Sequence, residues 1–287
     1  AFGYGSLQNN TTGINNSAFG FYALKNNTTN QNSAFGYKAL TANTIGTQNV
    51  AVGFGSLQSN TTGTNNTAVG YQSLVNQTTG RGNSALGFRS LQNNIIGVAN
   101  SAFGYYALQN NTTNSNSAFG YKALTANTTG AFNVAVGHTA LQSNTVGNYN
   151  TAVGVVSLFG NTTGSNNTAV GRYAMQDNTT GIYNTAVGWI ALGDNITGNS
   201  NTAVGMYSLR ANTASENTAL GYKAMYVNST GTSNVAVGSF ALDANTTGSY
   251  NVALGMNALR LNLSAGGNIA VGYSALDANT TGAGNVA

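Results

Sequence analysis

The chain has no cysteine and no proline. Without thiols it has no disulfide, no thiolate nucleophile and no cysteine ligand for a metal. Charge is almost as scarce, with nine Lys or Arg and five Asp or Glu among 287 residues, where an ordinary domain is about one quarter charged. One histidine and five scattered acids leave little for acid–base catalysis or metal ligation, so neither a catalytic site nor a cofactor is expected. A formal net charge of +4 is too dilute for the electrostatic footprint that nucleic-acid binding needs. No apolar run approaches the roughly 18 residues of a membrane helix, so no membrane insertion of this segment is expected. No basic-then-apolar leader is visible. Ala1 opens the chain in the phase in which Ala287 closes it, and the whole reads as a stretch cut from a longer protein.

What is abundant is Gly, Asn and Thr, with 38, 46 and 37 copies. They are ordered by one repeat, approximately A-V-G-Y-x-A-L-x-x-N-T-T-G-x-x-N-T. It begins at Ala1, Ala18, Ala34, Ala51 and onward to Ala270, giving seventeen copies of 16 or 17 residues that fill 1–287 as a single array with no separate domain. Numbering columns from the alanine, column 1 is always Ala, column 3 always Gly and column 16 always Asn. Column 2 is Val, Phe or Leu, column 7 is Leu except Met175 and Met225, and column 10 is Asn except Gln77. All fourteen charges fall in variable columns, which are read as the solvated ones.

A 17-residue period is too short for a helix pair or a propeller blade and too long for a heptad. It suits one coil of a β-solenoid. The expected fold is therefore all-β, a parallel β-roll of stacked coils rising about 4.8 Å each, on the order of 80 Å in all. Columns 17 to 3, as in Thr151-Ala152-Val153-Gly154, alternate as a strand does. Neither side of that strand is polar. If the Val/Phe/Leu column fills the coil, the opposite ladder of Ala1, Gly3, Ala152, Gly154 and their equivalents is an assembly seam where another subunit's backbone approaches. The competing arrangement places Ala and Gly in a narrow coil interior. Columns 4 to 9 read as a second strand or irregular extended segment, or as one helical turn. Columns 10 to 13, such as Asn161-Thr162-Thr163-Gly164, read as a surface turn with Gly at positive φ.

The column 16 asparagines, among them Asn16, Asn32, Asn49, Asn133, Asn167 and Asn285, are read as a structural amide ladder in which each donates to the next coil. Twelve column 10 residues, including Asn10, Asn60, Asn161, Asn178 and Asn245, begin N-x-S/T sequons and are glycosylation candidates on an exposed corner. Paired threonines such as Thr61-Thr62 raise an ice-binding face as a minor alternative, which Ile95-Ile96 interrupts. An aromatic stripe in column 4 (Tyr4, Phe21, Tyr37, Phe54, Tyr71, Phe88) is assigned to stacking between coils, with surface or glycan contact as the competing role. His138 and Trp189 share that column and lack catalytic partners at any defined spacing.

The repeat resembles those of bacterial and phage tail-fibre-like proteins, many of which end in an endosialidase-type intramolecular chaperone domain. Its N-T-A-V-G core is also similar, more distantly, to the head repeats of YadA-like trimeric autotransporter adhesins, although the adhesin repeat is shorter. The resemblance implies a left-handed β-roll in homotrimeric fibres exposed outside the cell or on a virion tail. The expected function is the structural shaft of such a fibre, self-associating; the alternative is an adhesin or tail fibre that binds a cell surface or glycan.

Overall fold

A computed structural model describes all 287 residues and divides them into two compact units, Ala1–Val146 and Gly147–Ala287. Both are β-solenoid and contain no helix. The first carries eight three-residue strands, from β1 (Ser17–Phe19) and β2 (Ser33–Phe35) to β8 (Val134–Val136). The second carries eight more, from β9 (Thr151–Val153) and β10 (Thr168–Val170) to β16 (Ile269–Val271). Within each unit successive strands pair in parallel and in exact column register, Ala18 on Ala34 and Phe19 on Phe35 in the first, Ala152 on Ala169 and Val153 on Val170 in the second.

Each strand comprises columns 17, 1 and 2 because these are the only three consecutive residues with an extended alternation. Column 3 ends it. There Gly36 has φ +141°, and a Cβ on it would sit 2.5 Å from the carbonyl oxygen of Gly53 in the next coil. The invariant glycine is therefore required by backbone conformation and by close approach of the same chain's next coil.

Columns 4 to 9 form neither the second strand nor the helical turn considered above. They are a series of tight turns with left-handed residues at columns 5 and 7, as in Lys38 (φ 54°) and Leu40 (φ 50°). Column 15 is left-handed too, as in Gln48 (φ 59°). Such conformations cost about 1–2 kcal/mol each for L-residues. They persist because the surrounding coils determine them: Leu40 N–H donates to Ser56 O of the next coil at 3.1 Å, Lys38 N–H to Phe21 O of the previous one at 2.9 Å, and the Leu40 side chain is fully buried.

The core of each coil is thin. It comprises column 1 Ala, column 6 Ala or Ser, column 7 Leu or Met, column 13 Gly, and the asparagines of columns 10 and 16. Where column 6 is serine, its hydroxyl is satisfied locally, as Ser157 Oγ donates to Gly154 O at 2.9 Å.

Column 13 Gly is buried and does not adopt positive φ, which corrects the surface-turn reading. It is small because a Cβ on Gly164 would press on Asn161 Oδ1 and on the carbonyl of Gly181. Three coils are one residue shorter and lack this glycine. In them Thr29, Thr113 and Ala214 present the carbonyl in its place, accepting from Asn16, Asn100 and Asn201.

Candidate interaction surface

The two asparagine columns make two ladders inside the coil. In column 16, Asn49 backbone N–H donates to Asn32 Oδ1 of the previous coil (3.0 Å) while Asn49 Nδ2 donates to Gly63 O of the next (2.8 Å), so one residue ties three coils. The same bonds recur at the other positions read from sequence. Asn16 Oδ1 accepts from Asn32 N–H, Asn133 N–H donates to Asn116 Oδ1, Asn167 Nδ2 donates to Gly181 O, and Asn285 N–H donates to Asn268 Oδ1.

Column 10 forms the second ladder. Asn178 Nδ2 donates to Asn161 Oδ1 at 2.8 Å and to Gly181 O at 3.2 Å. The glycosylation candidates Asn60, Asn161, Asn178 and Asn245 are fully buried, and Asn10, in the first coil, donates Nδ2 to Gly13 O. A glycan would attach to the nitrogen that makes these bonds, so the exposed-corner reading is overturned. Turn-like sequence placed these amides outside; the hydrogen-bonding demand of the coil interior holds them inside.

The assembly seam is likewise corrected. Ala152 is fully buried within its own chain, and Gly154 abuts the backbone of Gly171 in the next coil. Ala1 and Gly3, in the first coil, are exposed, but a Cβ on Gly3 would meet Gly20 of the next coil rather than open solvent. The coil is too narrow to hold a Val or Phe row, so column 2 points outward: Phe19 is 53% exposed, Phe35 44%, Leu86 48% and Leu220 47%. The Val/Phe/Leu row, not the Ala/Gly ladder, is what each unit presents outward.

Column 4 adds a second outward row. In the first unit Tyr4, Phe21, Tyr37, Phe54, Tyr71, Phe88, Tyr105, Tyr121 and His138 stack in one series, ring centroids 4.8 to 5.5 Å apart and planes within 16° of parallel. His138 thus extends an aromatic ladder. The ring faces are turned to one another along the stack, so ring edges and tyrosine hydroxyls are what remain outward. In the second unit column 4 runs Val155, Arg172, Trp189, Met206, Tyr222, Ser239, Met256, Tyr273, and the Trp189 ring lies 4.9 Å from that of Tyr207, in column 5, tilted by 48°.

Cations edge the first ladder. Lys38 Nζ lies 5.3 Å from the Tyr37 ring, Arg89 Cζ 5.1 Å from Phe88, Lys122 Nζ 5.3 Å from Tyr121, and Lys25 Nζ 4.3 Å from Tyr22. All five acids of the protein lie beyond residue 146, so this unit has five Lys or Arg and no Asp or Glu. The overall charge count concealed that segregation; counting acids along the chain reveals it.

In the second unit charges of both signs share columns 8 and 9. Arg260 Nε donates to Asp277 Oδ1 at 2.9 Å and Arg210 lies 3.7 Å from Asp194. Burial pushes the carboxyl of Asp243 above the usual range, opposed by Lys223 and Arg260, and does the same to Asp194, opposed by Arg210. The column 11 hydroxyls that suggested an ice face are bonded to the backbone of the next coil, as Thr61 Oγ1 donates to Thr78 O at 3.2 Å.

No His or acidic side chains converge as a metal site, and no helix is long and apolar enough to cross a membrane. Comparison with known family models and with curated proteins returned no match for this chain.

Proposed function

We propose that this chain is a structural element, the shaft of an extracellular or cell-surface fibre that self-associates as a homotrimer, and that it is not a catalyst. The observation that carries this reading is the outward Val/Phe/Leu row of column 2. Phe2, Phe19 and Phe35 stand on one another at its start, and Phe103 and Phe119 stack at 5.0 Å further along. A contiguous row of apolar side chains repeated at every coil is the kind of exposed surface that marks an association site, and a self-complementary row suits association of identical chains. The interior supports the mechanical part of the reading. Hydrogen bonds run from coil to coil through backbone and amide ladders, each worth about 1 kcal/mol net, so tension along the stack is shared by many of them. The resemblance of the repeat to tail-fibre and adhesin repeats favours three chains.

A second reading, an adhesin or tail fibre that contacts a cell surface or glycan, draws support from the clustering of aromatics and cations in the first unit. The test of the leading proposal is the solution mass by light scattering, for the parent and for Val170→Glu/Val187→Glu. Three times 29.2 kDa for the parent, falling to 29.2 kDa for the variant with its β-structure intact, is expected. A monomeric parent sinks the trimer.

A further inference from the structure

We propose that the first unit binds an extended acidic polysaccharide along its cation-edged aromatic ladder. The inference rests on the second of the two functional readings and names its ligand class. It draws on the segregation of charge and on the orientation of the rings.

Lys38, Arg89 and Lys122 occupy column 5, immediately beside the ladder, three coils and then two coils apart. At about 4.8 Å per coil these intervals are roughly 14 and 10 Å. Lys25 extends the same side toward the first coil. Each of the three column 5 cations lies 5.1 to 5.3 Å from a ring centroid, Arg89 also donates Nε to Gln72 Oε1 at 3.1 Å, and no carboxylate exists in the unit to neutralise them. Between them project ring edges, which carry the positive end of the aromatic quadrupole, and the hydroxyls of Tyr37, Tyr71, Tyr105 and Tyr121, each on a ring about 40% exposed. The stripe is therefore a line of positive charge, positive ring edge and hydroxyl. Its complement is a polymer that carries both negative charges and hydroxyls along its length.

Ring orientation decides among the polyanions. Bases and neutral sugars gain most of their aromatic contact from ring faces, and here the faces are consumed by neighbouring rings at 4.8 to 5.5 Å. Duplex nucleic acid also carries a charge every ~1.7 Å, far denser than this row of cations. A carboxylated or sulfated polysaccharide, whose sugars carry both anionic groups and hydroxyls along an extended chain, matches the chemistry of the stripe.

The experiment uses the full chain and immobilised polyuronate, with neutral dextran, single-stranded DNA and anionic phosphatidylserine vesicles as parallel probes. Polyuronate is expected to bind, more weakly as salt rises, and to bind at least ~10-fold more weakly to Lys38→Gln/Arg89→Gln/Lys122→Gln. Arg172→Gln/Arg260→Gln in the second unit is expected to leave binding unchanged. Circular dichroism and the melting midpoint verify that both variants keep their fold. Equal binding of polyuronate by parent and triple variant overturns the proposal, as does preference for DNA or vesicles. Binding of dextran in place of polyuronate also overturns it, while leaving the adhesin reading standing.

Discussion

Gln77 leaves Asn60 without a hydrogen-bond donor. In the column 10 ladder each asparagine accepts at Oδ1 from the residue one coil on, but Gln77 carries its amide a methylene further and donates Nε2 to Gly80 O at 2.9 Å, so the buried Oδ1 of Asn60 has no partner. The buried Oδ1 atoms of Asn94 and Asn195 are unpartnered in the same way, each just before a shortened coil whose own asparagine, Asn111 or Asn212, donates to the carbonyl of Thr113 or Ala214. An unsatisfied buried acceptor costs about 1–3 kcal/mol. Gln77→Asn is expected to recover part of that and raise the thermal midpoint, whereas Asn245→Gln, which takes the 2.7 Å donor from Asn228 Oδ1 in an intact stretch of the ladder, lowers it. Parallel melts followed by circular dichroism check both signs.

The two glycine columns differ in what they require. Gly171 has φ +132° and a Cβ on it would lie 2.5 Å from Gly188 O. Gly164 has no such φ, and Ala265 already occupies the equivalent position, its carbonyl accepting from Asn251 at 2.9 Å and Asn262 at 3.0 Å. Both substitutions push a Cβ onto the next coil's carbonyl, but Gly171→Ala adds the φ strain, so it is expected to cost more than about 2 kcal/mol and Gly164→Ala measurably less. Denaturant midpoints at constant m-value measure the difference.

Adjacent residues of one strand should respond oppositely to size. Ala169 is fully buried in a coil with no spare volume, while Val170 points outward. Ala169→Leu is expected to disrupt the coil, since overpacking a full core costs about 1–3 kcal/mol and the strain repeats against both neighbours. Val170→Thr leaves stability within roughly 0.5 kcal/mol. Retention of full stability by Ala169→Leu would return the alanine ladder to the surface.

Asp243 gives the protein a pH dependence with a definite sign. Its carboxyl is half-buried, its Oδ1 has no hydrogen-bond partner, and burial raises its pKa, with Lys223 and Arg260 opposing. A carboxyl whose folded pKa exceeds its unfolded value favours the folded state while protonated, below about pH 4, and loses that contribution as pH rises through the folded value. Asp243→Asn should therefore stabilise the protein at pH 7 and have a smaller effect at pH 4. Urea titrations of parent and variant at the two pH values check the trend.

Much of this architecture was legible in the residues. The period, the parallel stacking, the amide ladder through Asn16, Asn32 and Asn49 and the coil-to-coil stacking of Tyr4, Phe21 and Tyr37 all follow from columns that repeat in one chain. The turns of columns 4 to 9 were not legible, because left-handed Lys38 and Leu40 are conformations their residue types disfavour and only contacts with neighbouring coils impose. One signal did exist: Gly5 and Gly55 fall in column 5, and Gly82, Gly267 and Gly284 in column 15, all with positive φ.

The sequence by itself determined the unit, its length and the identity of the side chains that must stack, since identical residues returning at one period have identical neighbours above and below. It did not determine which way Ala152 and Val153 point, because an alternating strand with no polar face has no solvent-facing side to read. The cross-section of the closed coil decided that. A perimeter of 16 or 17 residues, folded back by left-handed turns, encloses Leu158, Asn161 and Asn167 and leaves room beside them only for a methyl group, so alanine went in and valine went out.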